Sequence, residues 1–130
     1  AQDAAGRQLA RFLGAQKEVV QVLHPALEGA PGHAHWAAHC TRAAGLFSVM
    51  FDERFSLAQV HAFVDGLKLF RIGYSWAGPV SLVVPYNLAQ MRPQWPAHLK
   101  RGTLVRFSAG LESAADLIAD LQQATEAALR

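Results

Sequence analysis

The first half of the chain carries one helical and two strand patterns of apolar residues. Residues 1–16 place Ala5, Leu9, Phe12 and Leu13 on one face, which predicts a helix that Gly14 closes. The β-branched run at residues 19–23 predicts a strand. A second strand is predicted at residues 45–51, where both alternating faces are apolar, so we expect it to be covered on both sides.

The second half of the chain begins with the clearest helix signal. Ser56 followed by Gln59 is a capping-box pattern, and the apolar stripe that follows predicts a helix ending near Gly66. The remaining predicted elements are strands at 69–74, 81–84 and 103–108, an irregular segment around Pro85, Pro93 and Pro96, and a last helix capped by Ser113 and Asp116.

This order of elements predicts an α+β fold. We expect a two-layer domain in which a small, mostly antiparallel sheet carries helices on one face. Leu46 and Met50 alternate with Phe47, Val49 and Phe51, so one of these two sets should lie on the other face. That face is expected to pack against another domain or subunit.

Composition restricts the class of protein. With 130 residues, 52% of them hydrophobic, the chain can form one globular domain. The net charge of +2 comes from scattered residues, which argues against nucleic-acid binding, and no segment reaches the ~20 apolar residues of a membrane span. Cys40 is the only cysteine, so no internal disulfide forms, and we predict a buried, inert thiol and a cytoplasmic location.

Arg106 is the strongest candidate for a binding residue. It lies inside the apolar strand Leu104-Val105-Arg106-Phe107, where an unpaired guanidinium would cost on the order of 3–5 kcal/mol. Its planar fork suits a carboxylate held through two hydrogen bonds. The residue pattern leaves two partners open, an Asp or Glu of the same domain or the carboxylate of a ligand.

Two other groups of side chains are candidates for a functional site. Tyr74-Ser75-Trp76 places two aromatics and a hydroxyl before a Gly-Pro turn, which is typical of a pocket wall and also of a core edge. His35 and His39 would share one helical face, but neither they nor His33 have a neighbouring carboxylate. We therefore predict no metal site.

Several segments in family order resemble bacterial cystathionine β-lyase, of the Cys/Met-metabolism branch of fold-type I pyridoxal-phosphate enzymes. The segments are Val22-Leu23-His24-Pro25-Ala26-Leu27, Pro31-Gly32-His33 with Trp36, Gly45-Leu46-Phe47-Ser48, residues 69–76 with Gly78, Ser81-Leu82-Val83, residues 102–112 and residues 116–121. Trp76 favours the β-lyase over the related γ-synthases and γ-lyases, which usually have Ser-Leu-Gly at this point.

The resemblance implies a substrate-binding role for this chain. Arg106 would grip the α-carboxylate of a small amino-acid substrate, with Trp76, Ser75 and Tyr74 in the same pocket. The cofactor, pyridoxal 5'-phosphate, would be bound mainly by an upstream domain that supplies the Schiff-base lysine. Lys17, Lys68 and Lys100 do not match the family's Ser-x-Thr-Lys type of site, so we expect no catalytic residue in this chain.

The resemblance also implies an organisation and a reaction. Residues 1–16 would lead in from the N-terminal cofactor domain, and residues 17–130 would form the C-terminal small domain of a homotetramer. The complete enzyme would convert cystathionine to homocysteine, pyruvate and ammonia in transsulfuration and methionine biosynthesis, and this chain alone would be inactive.

Two positions depart from the family pattern. Ala77 replaces a usual glycine and Val80 a usual glutamate, so cystine or another cysteine S-conjugate remains an alternative substrate. A non-catalytic amino-acid-binding module is the alternative from a different class.

Overall fold

The computed structural model of the chain describes all 130 residues. Its helices and strands are α1 (Gln2–Gly14), β1 (Val19–Leu23), α2 (His33–His39), β2 (Leu46–Asp52), α3 (Leu57–Asp65), β3 (Arg71–Ile72), β4 (Leu82–Tyr86), α4 (Leu88–Met91), β5 (Gly102–Ser108) and α5 (Ala114–Leu129). None of the helices is both long and apolar enough to cross a membrane.

The five strands form one sheet in the order β1-β2-β5-β4-β3. All neighbouring pairs are antiparallel except β3 and β4, which are parallel. Helices α1, α3 and α5 pack together and against the sheet. The prediction of an α+β domain with a mostly antiparallel sheet is confirmed.

One face of the sheet forms the hydrophobic core with the helices. Phe47, Val49 and Phe51 of β2 alternate toward this face and join one buried cluster with Leu9 of α1 and Leu117 of α5. Each large apolar side chain that is fully buried contributes about 1.5–3 kcal/mol, so this layer holds the strands in place. Residues 1–16 contribute to the same core as the rest of the chain.

The opposite face is covered at one end only. Gln21, Met50, Leu104 and Tyr86 form a row across it, because they are direct cross-strand partners. The segment 87–101 reaches from β4 to β1, where the Gln21 side chain donates to the His98 carbonyl and accepts from the Lys100 N–H. Met50 is consequently fully buried by the chain itself. The next row contains Arg106.

Three local predictions were inaccurate. The strand predicted at 69–74 shrinks to Arg71–Ile72, and Pro85, expected in an irregular segment, belongs to β4. Proline is tolerated there because β3 pairs only with Leu82 and Val83, so Pro85 has no ladder hydrogen bond to donate on that side. Ser113 is the N-cap of α5, but its side chain makes no capping hydrogen bond. The capping box of Ser56 and Gln59 is confirmed.

Two buried carboxylates tie the ends of elements together. Glu18, fully buried after α1, accepts hydrogen bonds from Arg130 at the end of α5. Asp120 accepts from the backbone N–H groups of Lys68 and Leu69, which precede β3. These bonds satisfy charges that would be costly to bury alone and thereby place β3 relative to α5.

His24 is fully buried at the end of β1, next to Phe47. Its Nδ1 accepts from the Ala26 N–H, and its Nε2 has no partner in the chain. Burial is the main cause that lowers the pKa of His24 below 6.5, the Arg7 cation adds to it, and Asp3 opposes it. The ring is therefore neutral in the folded chain at neutral pH.

We expect His24 to make folding sensitive to acid. The unfolded chain takes up the proton near pH 6.5 whereas the folded chain resists it, so this contribution to the free energy of unfolding is complete above pH 6.5 and is lost as pH falls through the folded pKa. Urea unfolding at pH 7, 6 and 5 should show a steeper loss for the wild type than for His24→Asn. If the free energy of unfolding falls equally with pH in the two proteins, the lowered pKa is not assigned correctly to His24.

Candidate functional site

Arg106 lies near the centre of β5, on the sheet face that lacks helices. Its cross-strand partners are Ser48 of β2 and Val84 of β4. Val105 and Phe107, the flanking residues, point into the core and are fully buried. The alternation of β5 therefore carries the guanidinium away from the core to the partly open face.

The guanidinium of Arg106 has no carboxylate partner. The two ion pairs of the chain join Arg7 to Asp3 and Arg130 to Glu18. Arg106 instead donates one short hydrogen bond to the backbone carbonyl of Tyr74. Of the two partners that the sequence left open, the internal Asp or Glu is thus excluded in this chain, and the remaining N–H groups of the fork are free to bind an anion.

Two aromatic rings flank this guanidinium. The Cζ atom of Arg106 lies 5.6 Å from the ring centroid of Trp76 and 5.9 Å from that of Tyr86. The rings of Tyr86 and Tyr74 meet edge to face with centroids 6.4 Å apart. Each cation–π contact is worth about 0.5–1 kcal/mol at a partly exposed site and limits the rotamers of the arginine. The rings therefore help to aim the fork.

Tyr86 is a residue of the site that the sequence analysis missed. It is the fifth residue of a strand whose end was predicted at position 84, so no pattern linked it to Arg106. Only the register shows that Tyr86 pairs with Leu104, two residues from Arg106 on the same face. If the strand had been predicted to extend to position 86, its two-residue alternation would have indicated that Tyr86 lies on the same face as Val84.

The predicted trio Tyr74, Ser75 and Trp76 lies in the loop 73–81 between β3 and β4. Tyr74 is 71% exposed and Trp76 is 58% exposed, so their rings form an open wall. Tyr74 contacts Arg106 through its backbone carbonyl and Trp76 through its ring. Ser75 is exposed and makes no hydrogen bond within the chain, so the structure does not join it to Arg106.

The loop after Trp76 contains backbone strain. Ala77 has a φ of 64°, and it is the only residue other than glycine with a positive φ. Its N–H donates to the Ser108 hydroxyl at the end of β5, 3.2 Å away. A left-handed conformation costs an alanine roughly 1–2 kcal/mol, and a glycine would adopt it without this cost. The neighbouring Val80 is 42% exposed.

Glu112 holds the far end of the same loop. Its two carboxylate oxygens accept from the Ser81 N–H at 3.0 Å and the Ser81 hydroxyl at 2.7 Å. Burial acts to raise the pKa of Glu112, but the two bonds from Ser81 and one from its own backbone N–H outweigh it, and the pKa is lowered overall. Glu112 is therefore ionised at neutral pH.

Concave surfaces lie both beside the site and away from it. A depression of about 350 Å³ beside Tyr74 is lined by residues that include Ile72 and Val84. Another of about 340 Å³ lies between α1 and β1 and includes Arg11 and Glu28, far along the sheet from β4. Arg106, Trp76 and Tyr86 line neither depression. We therefore place the site on the open sheet face around Arg106, where two aromatic rings flank the cation.

Other titratable side chains do not converge on Arg106. Lys17, Lys68 and Lys100 are all exposed. His33 donates from Nδ1 to the Pro25 carbonyl and stacks on Trp36, while His35 and His39 are exposed on α2. No three His, Cys, Asp or Glu residues of the chain meet as a metal-binding group. Cys40, predicted to be buried, is exposed because the chain leaves α2 there in an extended conformation.

Comparison with known proteins shows which proteins the chain is similar to in sequence. The chain is 41% identical to a cystathionine beta-lyase of Salmonella typhimurium over 116 residues, which are 87% of the chain and 29% of that protein. An L-alanine/L-glutamate racemase of Wolbachia pipientis is 34% identical over 117 residues, 90% of the chain and 29% of that protein.

A solved structure shares both the fold and part of the sequence. The cystathionine gamma synthase of Xanthomonas oryzae, in complex with cystathionine, superposes with a TM-score of 0.80 at 30% identity, and the match covers 98% of the chain and 34% of that protein. The chain thus spans about 30% of the length of its relatives. Residues 1–126 match the family described as Cys/Met metabolism PLP-dependent enzyme. With the shared fold and these identities, the chain belongs to the Cys/Met metabolism PLP-dependent enzyme family.

Proposed function

We propose that this chain is the C-terminal, substrate-binding part of a PLP-dependent carbon–sulfur β-lyase. The observation that carries the proposal is the guanidinium of Arg106, which is half-buried between two aromatic rings and has no carboxylate partner in the chain. The N–H groups that the Tyr74 carbonyl leaves free can donate to an anion that approaches from the open face. An amino-acid substrate supplies the matching anion in its α-carboxylate.

Arg106 would orient the substrate. A carboxylate bound through two parallel hydrogen bonds is fixed in plane and direction, whereas a lysine ammonium would hold it as a point charge. The Tyr74 carbonyl occupies one N–H of the fork, so the acceptor must approach the others from the open face. Such a hold limits rotation of the substrate and keeps its α-carbon in one position relative to the reacting groups.

We propose that the residues of this chain do not form a complete site for pyridoxal phosphate by themselves. The three lysines are exposed, and none lies in an enclosed pocket beside Arg106. When bound, the cofactor supplies an electron sink for the carbanion at the substrate α-carbon. We assign the lysine and the phosphate-binding groups to a further domain of the complete protein, with this chain contributing the carboxylate-binding residues.

Cystathionine is the substrate that we propose, with homocysteine, pyruvate and ammonia as products. The similarity to proteins named cystathionine beta-lyase supports this choice. The name of the Wolbachia relative, an L-alanine/L-glutamate racemase, indicates another reaction on amino acids among similar proteins. Cystine and other cysteine S-conjugates therefore belong in the same assay.

The products and the cofactor requirement test this proposal together. The complete protein, incubated with pyridoxal phosphate, is expected to release pyruvate from cystathionine, and the 130-residue chain should release none. Borohydride trapping followed by peptide mass spectrometry should label one lysine outside the chain, because Lys17, Lys68 and Lys100 lie in open solvent.

Two results would contradict different parts of the proposal. Conversion of L-alanine to D-alanine without release of pyruvate would show that the complete protein is a racemase and not a lyase. Stoichiometric labelling of Lys17, Lys68 or Lys100 would show that the cofactor lysine lies within this chain. The control is the same assay with homoserine in place of cystathionine, because homoserine has the α-carboxylate but no carbon–sulfur bond to break.

A further inference from the structure

The loop 73–81, which carries Tyr74 and Trp76, is fastened at its C-terminal half. Its anchors include four hydrogen bonds that join it to residues outside the loop: Gln2 Nε2 to the Gly78 carbonyl, Ala77 N–H to the Ser108 hydroxyl, Leu111 N–H to the Pro79 carbonyl, and Ser81 N–H to Glu112. Three of the four lead to residues 108–112, which directly follow Arg106 and Phe107. The end of β5 thus holds the loop and Arg106 in one unit.

Glu112 and Ser81 form the centre of this anchor. Ser81 is fully buried, its hydroxyl donates to Glu112, and the same oxygen accepts from the Gly110 N–H at 2.8 Å. A carboxylate that receives two hydrogen bonds from one buried residue allows that residue little freedom. The connection is also tight at Gly110, where an added Cβ would lie 2.3 Å from the Pro79 carbonyl oxygen.

The anchored loop reaches Arg106 at two points. The Tyr74 carbonyl accepts from the guanidinium, and the Trp76 ring lies against it. Both residues depend on the path of the backbone between β3 and Ala77, since Tyr74 and Trp76 are exposed and have little other packing. A shift of the loop would therefore move the carbonyl and the ring relative to the fork.

We propose that Glu112 and Ser81 are positioning residues for substrate binding, because they fix the loop that sets the direction of the Arg106 guanidinium. The inference rests on the proposed role of Arg106 in carboxylate binding. Neither residue touches the substrate, and their effect passes through Tyr74, Trp76 and Arg106. A purely structural role would instead change the stability of the domain and leave substrate binding alone.

Glu112→Gln tests the inference with little change of shape. The amide oxygen can still accept from the Ser81 N–H, but the NH₂ group cannot accept from the Ser81 hydroxyl, so that charge-assisted bond is lost or replaced by a weaker neutral bond in the opposite direction. In the complete enzyme we expect KM for cystathionine to rise about tenfold with a smaller change in kcat, as misplacement of a binding group predicts. Ser81→Ala should raise KM in the same direction, and Glu53→Gln, an exposed glutamate with no hydrogen bond from a side chain, is the matched control.

A readout that does not depend on turnover comes from the 130-residue chain. Fluorine-labelled tryptophan gives three resonances, and Trp76→Phe identifies the one that reports on the loop. Glu112→Gln should shift or broaden the Trp76 resonance and leave those of Trp36 and Trp95 unchanged. Unchanged resonances together with a KM within twofold of the wild type would overturn the inference, whatever the loss of stability.

Double substitution separates this inference from the proposed function. If Glu112 acts through Arg106, Glu112→Gln should raise KM little further in a protein that already carries Arg106→Lys. Full additivity of the two effects would overturn the positioning role and leave the role of Arg106 intact. If Arg106→Lys and Arg106→Ala both leave KM unchanged, the proposed function fails first.

Discussion

Arg106→Ala is expected to lower kcat/KM of the complete enzyme for cystathionine by about 10²–10³-fold. Truncating one partner of a hydrogen-bonded charge pair costs about 2–5 kcal/mol, because the remaining carboxylate loses its counter-charge and both directed bonds. If Arg106 only binds the carboxylate, most of the loss should appear as a higher KM. If Arg106 also orients the α-carbon, kcat should fall as well. Steady-state rates of pyruvate release measure both constants.

Arg106→Lys should recover only a small part of this loss. The ammonium keeps the charge, but it cannot bridge both carboxylate oxygens in one plane, and it loses the stacking of a flat guanidinium on Trp76 and Tyr86. Arg101→Lys is the matched control, since Arg101 is exposed immediately before the same strand and lies over the ring of Trp95. Equal effects at positions 101 and 106 would contradict the assignment of the site.

Gly102→Ala is expected to destabilise the domain by at least about 3 kcal/mol. Gly102 begins β5 with a φ of 153°, and an added Cβ would lie 1.7 Å from the carbonyl oxygen of Phe51 in the neighbouring strand. The β2–β5 pair at the centre of the sheet would have to separate there, which adds a packing cost to the backbone strain. Urea unfolding followed by circular dichroism measures the difference.

Gly29→Ala separates the two contributions. Gly29 also has a positive φ, 85°, but a Cβ there would meet no atom within 4 Å. It should therefore show the strain alone, about 1–2 kcal/mol. If both variants unfold at the same urea concentration, the close approach of Phe51 to Gly102 does not restrict the strand as described.

Local patterns in the sequence predicted most elements because their causes are local. The capping box of Ser56 and Gln59 forms as the spacing indicates, and β1 has the predicted bounds. The errors arose where strand pairing determines the bounds of an element. Pro85 is a strand residue only because β3 ends before it. β3 itself is short because it pairs with just two residues of β4. Cys40 was misplaced because its exposure depends on how the chain leaves α2.

For the candidate site, the residue types in one strand and one loop were sufficient to single out Arg106 and Trp76. They were not sufficient to choose between an internal carboxylate and a ligand, since the chain has ten acidic residues and no local pattern says which of them approach β5. Tyr86 and Glu112 escaped notice for the same reason. Their contacts with the site cross between strands or join residues 31 positions apart.

By itself, the sequence determined the α+β class, most of the helix and strand positions, the resemblance to a family and the choice of Arg106 as the candidate for binding an anion. Only the tertiary structure decided that Arg106 has no acidic partner, that Trp76 and Tyr86 flank it, and that the end of β5 holds the loop between β3 and β4. The physical reason is that hydrophobic period and capping act over a few residues, whereas charge pairing and loop position depend on the register of distant strands.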